Sequence, residues 1–173
     1  MRCSWVIRNS GLLLLRSVVD CLFGTGESRE NLEAGWDGRT PRISYAKYPG
    51  LPAVLLTLLQ SGTDAGEVKS QQRAAESVFP ALDVIRRAGP PEALRGELFR
   101  CVTYHLGSHL WHVREMAARA ACSFLLTEEW GEALGELLKG AYSHQNELHG
   151  VLVTARFTLV RAHGLGADNY AGE

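Results

Sequence analysis

Two arginines, which are permanently charged, come directly before the predicted end of an amphipathic segment that begins near Val78. The residues in order are Arg86, Arg87, Ala88, Gly89, Pro90 and Pro91. Proline fixes φ and lacks a backbone donor, and the residue before a proline avoids the helical region, so a helix is predicted to end here. A guanidinium suits phosphate, or a carboxylate on a partner. The pattern predicts a rigid loop that displays both cations, or, alternatively, two arginines that only stabilise the negative end of the helix dipole.

A second group of candidate binding residues follows along the chain: Trp111, His112, Arg114, Glu115 and Arg119. Small residues occupy one side of this predicted helix and charged residues the other. If the helices stack, several basic residues near helix ends could share one edge and track a phosphate backbone, with Trp111, His112 and Tyr104 as flat surfaces. These basic residues are Arg86, Arg87, Arg95, Arg100, Arg114, Arg119, Arg156 and Arg161. The alternative is a solvated face whose charges are neutralised by interleaved glutamates.

Four further residues have the types and spacing of metal ligands: Cys101, His105, His109 and His112. Spacings of four and three place such side chains on one helical face. However, Gly107 and Ser108 are predicted to end the helix between them, and no second thiol or carboxylate cluster completes a tetrahedral site. Contacts between helices are the favoured interpretation. No nucleophile elbow, zinc-protease motif or glycine-rich nucleotide turn is found, so neither a catalytic site nor a bound cofactor is predicted.

Composition and charge place the chain among globular proteins. It has 173 residues, of which 46% are hydrophobic and 21% charged, with a formal net charge of −1. This balance argues against a nucleic-acid binder that works through a strong overall positive field, so any RNA contact must be local. The four cysteines show no paired spacing and are expected to be reduced and buried. No stretch approaches the roughly 20 apolar residues of a membrane span, and a cytoplasmic location is expected.

The spacing of apolar residues predicts helices throughout the chain and no strand of useful length. Such a succession, with short connections, indicates an all-α armadillo/HEAT-like solenoid of antiparallel helix pairs. The predicted helices are Trp5–Phe23, Leu51–Gln60, Ser70–Arg87, Pro91–Leu106, Leu110–Leu126, Glu128–Gly140 and Gln145–His163. Residues 1–163 are therefore expected to form one solenoid segment with an exposed loop at about 24–48, and residues 164–173 a flexible tail. Because neither end shows an obvious cap, a segment of a longer solenoid or a truncated gene product is expected.

Four stretches in this order resemble the thyroid-adenoma-associated protein family, which includes the fungal non-catalytic subunit of a tRNA ribose 2′-O-methyltransferase. The first is Gly11–Ser17 with Asp20–Thr25, and the second is Val78–Leu82 leading into Arg86–Pro91. The third and fourth are Trp111–Arg119 and Gln145–Gly150. The resemblance spans nearly the whole chain but only one region of a family whose members are very large.

The resemblance implies a solenoid that pairs with a separate methyltransferase and helps it to methylate a ribose in the tRNA anticodon loop. It associates the block Arg86–Pro91 with methylation competence, through contact with RNA phosphate or with the enzyme. S-adenosylmethionine would belong to the partner, and no membrane or DNA partner is expected. The main alternative is a protein-binding scaffold with no RNA role. An arrangement in which Arg86, Arg87, Arg114 and Arg119 scatter, instead of lying along one surface, would favour that scaffold.

Overall fold

The structure is a computed structural model that describes residues 10, 13, 14, 17–19, 21, 23, 45–61, 68–127 and 129–170, with only the backbone described at 68–77 and 165–170. These residues are all-α, as predicted, and contain no strand. Their helices with defined bounds are α1 Leu51–Ser61, α2 Val68–Ala88, α3 Arg95–His105, α4 Trp111–Leu125, α5 Trp130–Leu138 and α6 Gln145–Tyr170.

The helices form successive pairs, α1 with α2, α3 with α4, and α5 with α6. The second helices of these pairs pack side by side, with α4 between α2 and α6. Along α4 and α6, Arg114 contacts His149 and, further on, Arg119 contacts Phe157, so the two helices run in the same direction. This repetition of helix pairs is the arrangement of an α-solenoid, and it confirms the predicted fold class.

The core is built around α4, whose small residues allow the neighbouring helices to approach closely. Ala117, Ala118, Ala120 and Ala121 are completely buried. The main apolar cluster adds side chains from both sides of α4, including Leu55, Leu59, Leu82, Ile85, Leu98, Val102 and Val151. A smaller cluster of Leu125, Leu134 and Ala155 joins the last pair to α4. The predicted side of small residues on this helix is therefore confirmed, and it is the side that packs against neighbouring helices.

Two helix ends differ from the prediction by more than two residues. Helix α3 starts at Arg95, whereas Pro91 was predicted, because Leu94 has the left-handed φ of 62° and interrupts helical geometry. Helix α6 continues to Tyr170, so the predicted end at His163 was too early. A glycine inside a helix costs only about 1 kcal/mol, and Gly164 therefore does not end α6. Residues 171–173 lie outside the described residues.

The amino-terminal predictions fall largely on residues that are not described. In the predicted first helix, residues 10, 13, 14, 17–19, 21 and 23 are helical. Most of the loop predicted at 24–48 lies outside the described residues, and the remainder forms a turn that leads into α1. Among the cysteines, Cys122 is buried, Cys101 half-buried and Cys21 exposed, all as free thiols. The expected burial is thus wrong for Cys21, which lies on the solvent side of its helix.

Candidate RNA- and partner-binding surface

The block Arg86–Pro91 forms the predicted helix stop. Helix α2 ends at Ala88, and Gly89 follows with a φ of 80°, a conformation that glycine adopts without steric cost. The Gly89 N–H donates to the Ile85 carbonyl oxygen at 3.0 Å, and the Tyr45 hydroxyl donates to the Gly89 carbonyl oxygen at 2.7 Å. Burial raises the pKa of Tyr45, which keeps this donor protonated. Ala88 and the residues up to Pro91 are buried. The loop is therefore fixed by burial and by the hydrogen bonds of both the N–H and the carbonyl group of Gly89.

The two arginines of this block are not displayed to solvent, which corrects the predicted open loop. The Arg86 side chain is 11% exposed and donates to Asp83 Oδ1 from Nη2 at 2.7 Å and from Nε at 3.2 Å. Arg87 is 4% exposed, with Nη1 3.7 Å from Asp83 Oδ2. Its guanidinium lies 4.3 Å from the centre of the Phe23 ring. Asp83 therefore pairs with both cations, and contact of Arg86 or Arg87 with RNA or an enzyme stays a prediction.

The candidate residues of α4 divide between solvent and the helix interfaces. Trp111 is 58% exposed, and the exposed His112 stacks on Phe79 with ring centres 5.3 Å apart. Arg114 is buried, and its Nη1 donates to the Ser108 carbonyl oxygen at 2.6 Å. Its Nε lies 3.4 Å from His149 Nδ1. Arg114 thus joins the α3–α4 connection to α6.

Glu115 and Arg119 form an ion pair one helical turn apart, with Nη2 2.8 Å from Oε1. The Arg119 guanidinium also lies 4.6 Å from the centre of the Phe157 ring on α6. Together with Arg86, Arg87 and Arg114, this arginine contacts groups of its own chain. The four arginines consequently do not form one open basic surface.

An open groove lies instead between the α3–α4 connection and the start of α6. It encloses about 940 Å³. Its accessible lining includes Arg100, Tyr104 and His109 on one side and His144, Gln145 and Asn146 on the other. Where these walls meet, Gly150 packs against Leu106: a Cβ at Gly150 would lie 2.8 Å from the Leu106 Cβ. Only glycine permits this approach, so the two walls hold a fixed separation.

One carboxylate, that of Glu147, occurs among the groove-lining residues of the described chain. Its Oε2 accepts the Ser143 N–H at 3.2 Å, which ties the α5–α6 connection to α6. Burial, and then the negative charge of Glu147, raises the pKa of the neighbouring Tyr142. The Tyr142 hydroxyl donates to the Leu137 carbonyl oxygen. The Glu147 carboxylate thus stabilises the wall of the groove through its hydrogen bond with Ser143.

Two of the three histidines considered as metal ligands have contacts with neighbouring helices. His105 is buried, and its Nε2 lies 3.1 Å from the Leu59 carbonyl oxygen. Burial lowers the pKa of His105, although the bond to Leu59 acts in the opposite direction. No group of three metal-ligating side chains is found in the described part of the chain. His105 and His112 contact neighbouring helices, in agreement with the favoured interpretation.

Sequence reasoning missed the groove, although it contained one indication of it. The stretch Gln145–Gly150 carried part of the family resemblance, yet none of its residues was proposed as a site residue. In the structure this stretch supplies Gln145, Asn146 and Glu147 to the groove lining, and Gly150 packs against the lining residue Leu106. Its opposition to α3 depends on tertiary packing and is not visible in local spacing.

Comparison with known proteins identifies the family. The family model described as "Trm732, C-terminal TPR repeats" matches residues 8–158. The chain belongs to this family. The "tRNA (32-2'-O)-methyltransferase regulator trm732" of Schizosaccharomyces pombe is 24% identical over 169 residues, which cover 90% of this chain and 11% of that protein. The "tRNA (32-2'-O)-methyltransferase regulator THADA" of Homo sapiens is 28% identical over 187 residues, which cover 95% of this chain and 9% of that protein.

A third relative, THADA of Chlorocebus aethiops, is 28% identical over 173 residues, or 92% of this chain and 9% of that protein. The chain therefore spans about a tenth of the length of these curated relatives.

No solved structure shows a significant match. No helix in the described residues is long and apolar enough to span a membrane. The predicted family resemblance is confirmed, and the family model describes the helical repeats as TPR repeats.

Proposed function

We propose that this chain is a non-catalytic segment that positions tRNA for 2′-O-methylation of a ribose in the anticodon loop by a partner methyltransferase. The observation that carries the proposal is the family match over residues 8–158, together with relatives named as regulators of a tRNA methyltransferase. The partner would bind S-adenosylmethionine, and this chain would bind no cofactor. We further propose a cytoplasmic location, no membrane or DNA partner, and an armadillo/HEAT-like curvature of the solenoid.

A regulator of this kind acts by orientation. Holding a ribose hydroxyl in line with a methyl donor lowers the activation free energy of methyl transfer, because the relative motion of the two reactants is already restricted before the reaction. This effect needs no reacting group on the regulator. A rigid stack of helices suits such a role because its surfaces keep fixed distances. The Gly150–Leu106 approach and the Arg114 bridge to Ser108 and His149 are examples of that rigidity.

The block Arg86–Pro91 contributes to the proposed function in one of two separable ways. A contact role requires Arg86 or Arg87 to leave Asp83 and meet RNA phosphate or the methyltransferase. A structural role requires only that the loop and the end of α2 keep their geometry. The 4% exposure of Arg87 and its position over Phe23 favour the structural role for that residue, whereas Arg86 lies nearer the surface.

The direct test measures ribose methylation of tRNA by the purified methyltransferase, with and without the protein, while complex formation is followed separately. The proposal expects methylation to rise when the protein is added. Arg86→Ala and Arg87→Ala are then compared individually, with unfolding measured for each. A contact role predicts lost methylation at unchanged stability, whereas a structural role predicts that both decline together. Methylation that does not depend on the protein would contradict the proposed function.

A protein-binding scaffold without an RNA role is the second candidate. Two observations favour it: the arginines of the predicted basic surface contact groups within the chain, and α6 exposes a row of apolar side chains. Leu148, Leu152, Leu159 and Val160 are each about half exposed or more. Affinity capture with and without nuclease separates the two functions. A partner set that survives nuclease unchanged, with no tRNA recovered, would support the scaffold.

A further inference from the structure

The groove between the α3–α4 connection and the start of α6 combines an aromatic ring and a cation on one wall. Tyr104 is 61% exposed, and its ring meets the His105 ring edge-on with 5.4 Å between their centres. Arg100 lies one helical turn before Tyr104, is exposed, and forms no ion pair with any described residue. Residues four apart on a helix are neighbours. The wall thus offers a flat apolar surface beside an available positive charge.

The other wall offers hydrogen-bonding groups that suit nucleobases. Gln145 and Asn146 open α6 and line the groove, with Gln145 exposed and Asn146 half-buried. Each side-chain amide has donors and an acceptor, the combination that pairs with the edges of unpaired bases. The apolar lining residues Leu106, Val113 and Val151 are nearly completely buried. Leu110 and Leu137, which also line the groove, are half-buried, and Ala141 is exposed, so polar and aromatic groups occupy the two walls beside a smaller aliphatic part.

We propose that this groove binds unpaired nucleotides of an RNA strand. Tyr104 stacks on a base, Arg100 contacts a backbone phosphate, and Gln145 and Asn146 form hydrogen bonds with base edges. The inference deepens the proposed function and rests on it for the source of the RNA. Single-stranded RNA is recognised through this combination of aromatic stacking, positive charge and base-edge hydrogen bonds.

The same features argue against a helical peptide as the occupant. An amphipathic helix needs an open hydrophobic groove for its anchor side chains. Here the large aliphatic lining side chains are buried or half-buried. The accessible cation and amides would remain without partners beneath an apolar helix face. The groove also differs from a surface for duplex RNA, which is recognised mainly by its shape and through phosphate and 2′-hydroxyl contacts.

The test measures the affinity of a fluorescent, unstructured single-stranded RNA oligonucleotide for the chain, alone and together with the methyltransferase, over a series of salt concentrations. Tyr104→Leu removes the ring, and we expect binding to weaken about 5- to 100-fold. Tyr104→Phe retains the ring and is expected to bind nearly as well as the wild type. Arg100→Gln is expected to reduce the slope of log affinity against log salt by about 0.7.

Matched controls are available outside the groove. Tyr48 is 40% exposed and Arg156 is exposed, and neither lines the groove. Tyr48→Leu and Arg156→Gln should leave both affinity and salt slope near the wild-type values. An equal loss in Tyr48→Leu and Tyr104→Leu would overturn the proposal, because it would show a diffuse surface effect.

Three other results would also overturn the proposal. The first is that the wild type does not bind the oligonucleotide, and the second is that both groove variants bind it as well as the wild type does. The third is that the groove variants lose binding to the methyltransferase but keep their affinity for RNA, which would assign the groove to a protein partner. Wild-type stimulation of methylation is measured in parallel. Stimulation without groove-dependent RNA binding leaves the proposed function standing and rejects the groove. Groove-dependent binding without stimulation rejects the proposed function alone.

Discussion

The last turn of α2 and the groove beside α3 contain the same kinds of side chain in opposite environments. In the last turn of α2, Arg87 is buried over Phe23 and paired with Asp83. In the groove, Arg100 and Tyr104 are exposed. The more conspicuous arginines in the sequence are thus the less accessible ones. A cluster of basic residues at a helix end indicates where positive charge lies in the fold. The burial of these side chains then determines whether they stabilise the fold or are accessible to a ligand.

The largest expected effect concerns the buried side of this comparison. Arg87→Ala should lower the free energy of unfolding by about 2–4 kcal/mol, because it removes a desolvated cation–π contact and leaves a cavity beside Asp83. Urea denaturation measures the change. The exposed Arg156→Ala serves as the control and should stay within about 0.5 kcal/mol. Equal stability of the two variants would show that Arg87 is accessible after all.

The next effect concerns the base of the groove. Gly150→Ala should destabilise the chain by about 1–3 kcal/mol, because the new methyl group meets the backbone and Cβ of Leu106. Gly135→Ala is the matched control in the interior of α5, where nothing lies within 4 Å of the added methyl group. That control should gain up to about 1 kcal/mol from helix propensity. Thermal or urea unfolding that ranks the two variants in the reverse order would contradict the close approach.

A pH effect of intermediate size is expected from His105 beneath the groove. Burial lowers its folded-state pKa below the ordinary value of about 6.5. Above that pH both states hold the neutral ring. As the pH falls below about 6.5, the unfolded state takes up a proton that the folded state resists, so stability declines by at most about 1.4 kcal/mol per pH unit until the folded pKa is reached. His105→Gln should flatten this part of the curve of unfolding free energy against pH. Identical curves for variant and wild type would contradict the burial of His105.

The smallest stability effect belongs to the open side of the comparison. Tyr104→Leu and Arg100→Gln should each change the free energy of unfolding by less than about 0.5 kcal/mol, as exposed substitutions usually do. Urea denaturation of both variants checks this. A loss as large as that of Arg87→Ala would mean that the groove residues support the fold instead of a ligand.

Local sequence features predicted the order of the helices, the stop at Gly89 and the alanine-rich surface of α4, because periodicity and backbone restrictions act over a few residues. Even the pairing of Arg86 and Arg87 with Asp83 has a local basis, since Asp83 precedes them by three and four positions on one helix. The positions of Phe23 over Arg87 and of Gln145 opposite Tyr104 depend on contacts between distant segments. Spacing within one segment carries no information about such contacts, so the exposure of the two arginines was predicted wrongly and the groove was missed.

The central claim is that the open groove, and not the buried arginines, presents RNA to the methyltransferase. The most direct measurement is the rate of tRNA ribose methylation at limiting tRNA, with the complex containing Tyr104→Leu together with Arg100→Gln. The control complex contains Tyr48→Leu together with Arg156→Gln. We predict roughly tenfold slower methylation for the groove variant, with normal complex formation and stability, and a wild-type rate for the control. A wild-type rate in the groove variant would contradict the claim.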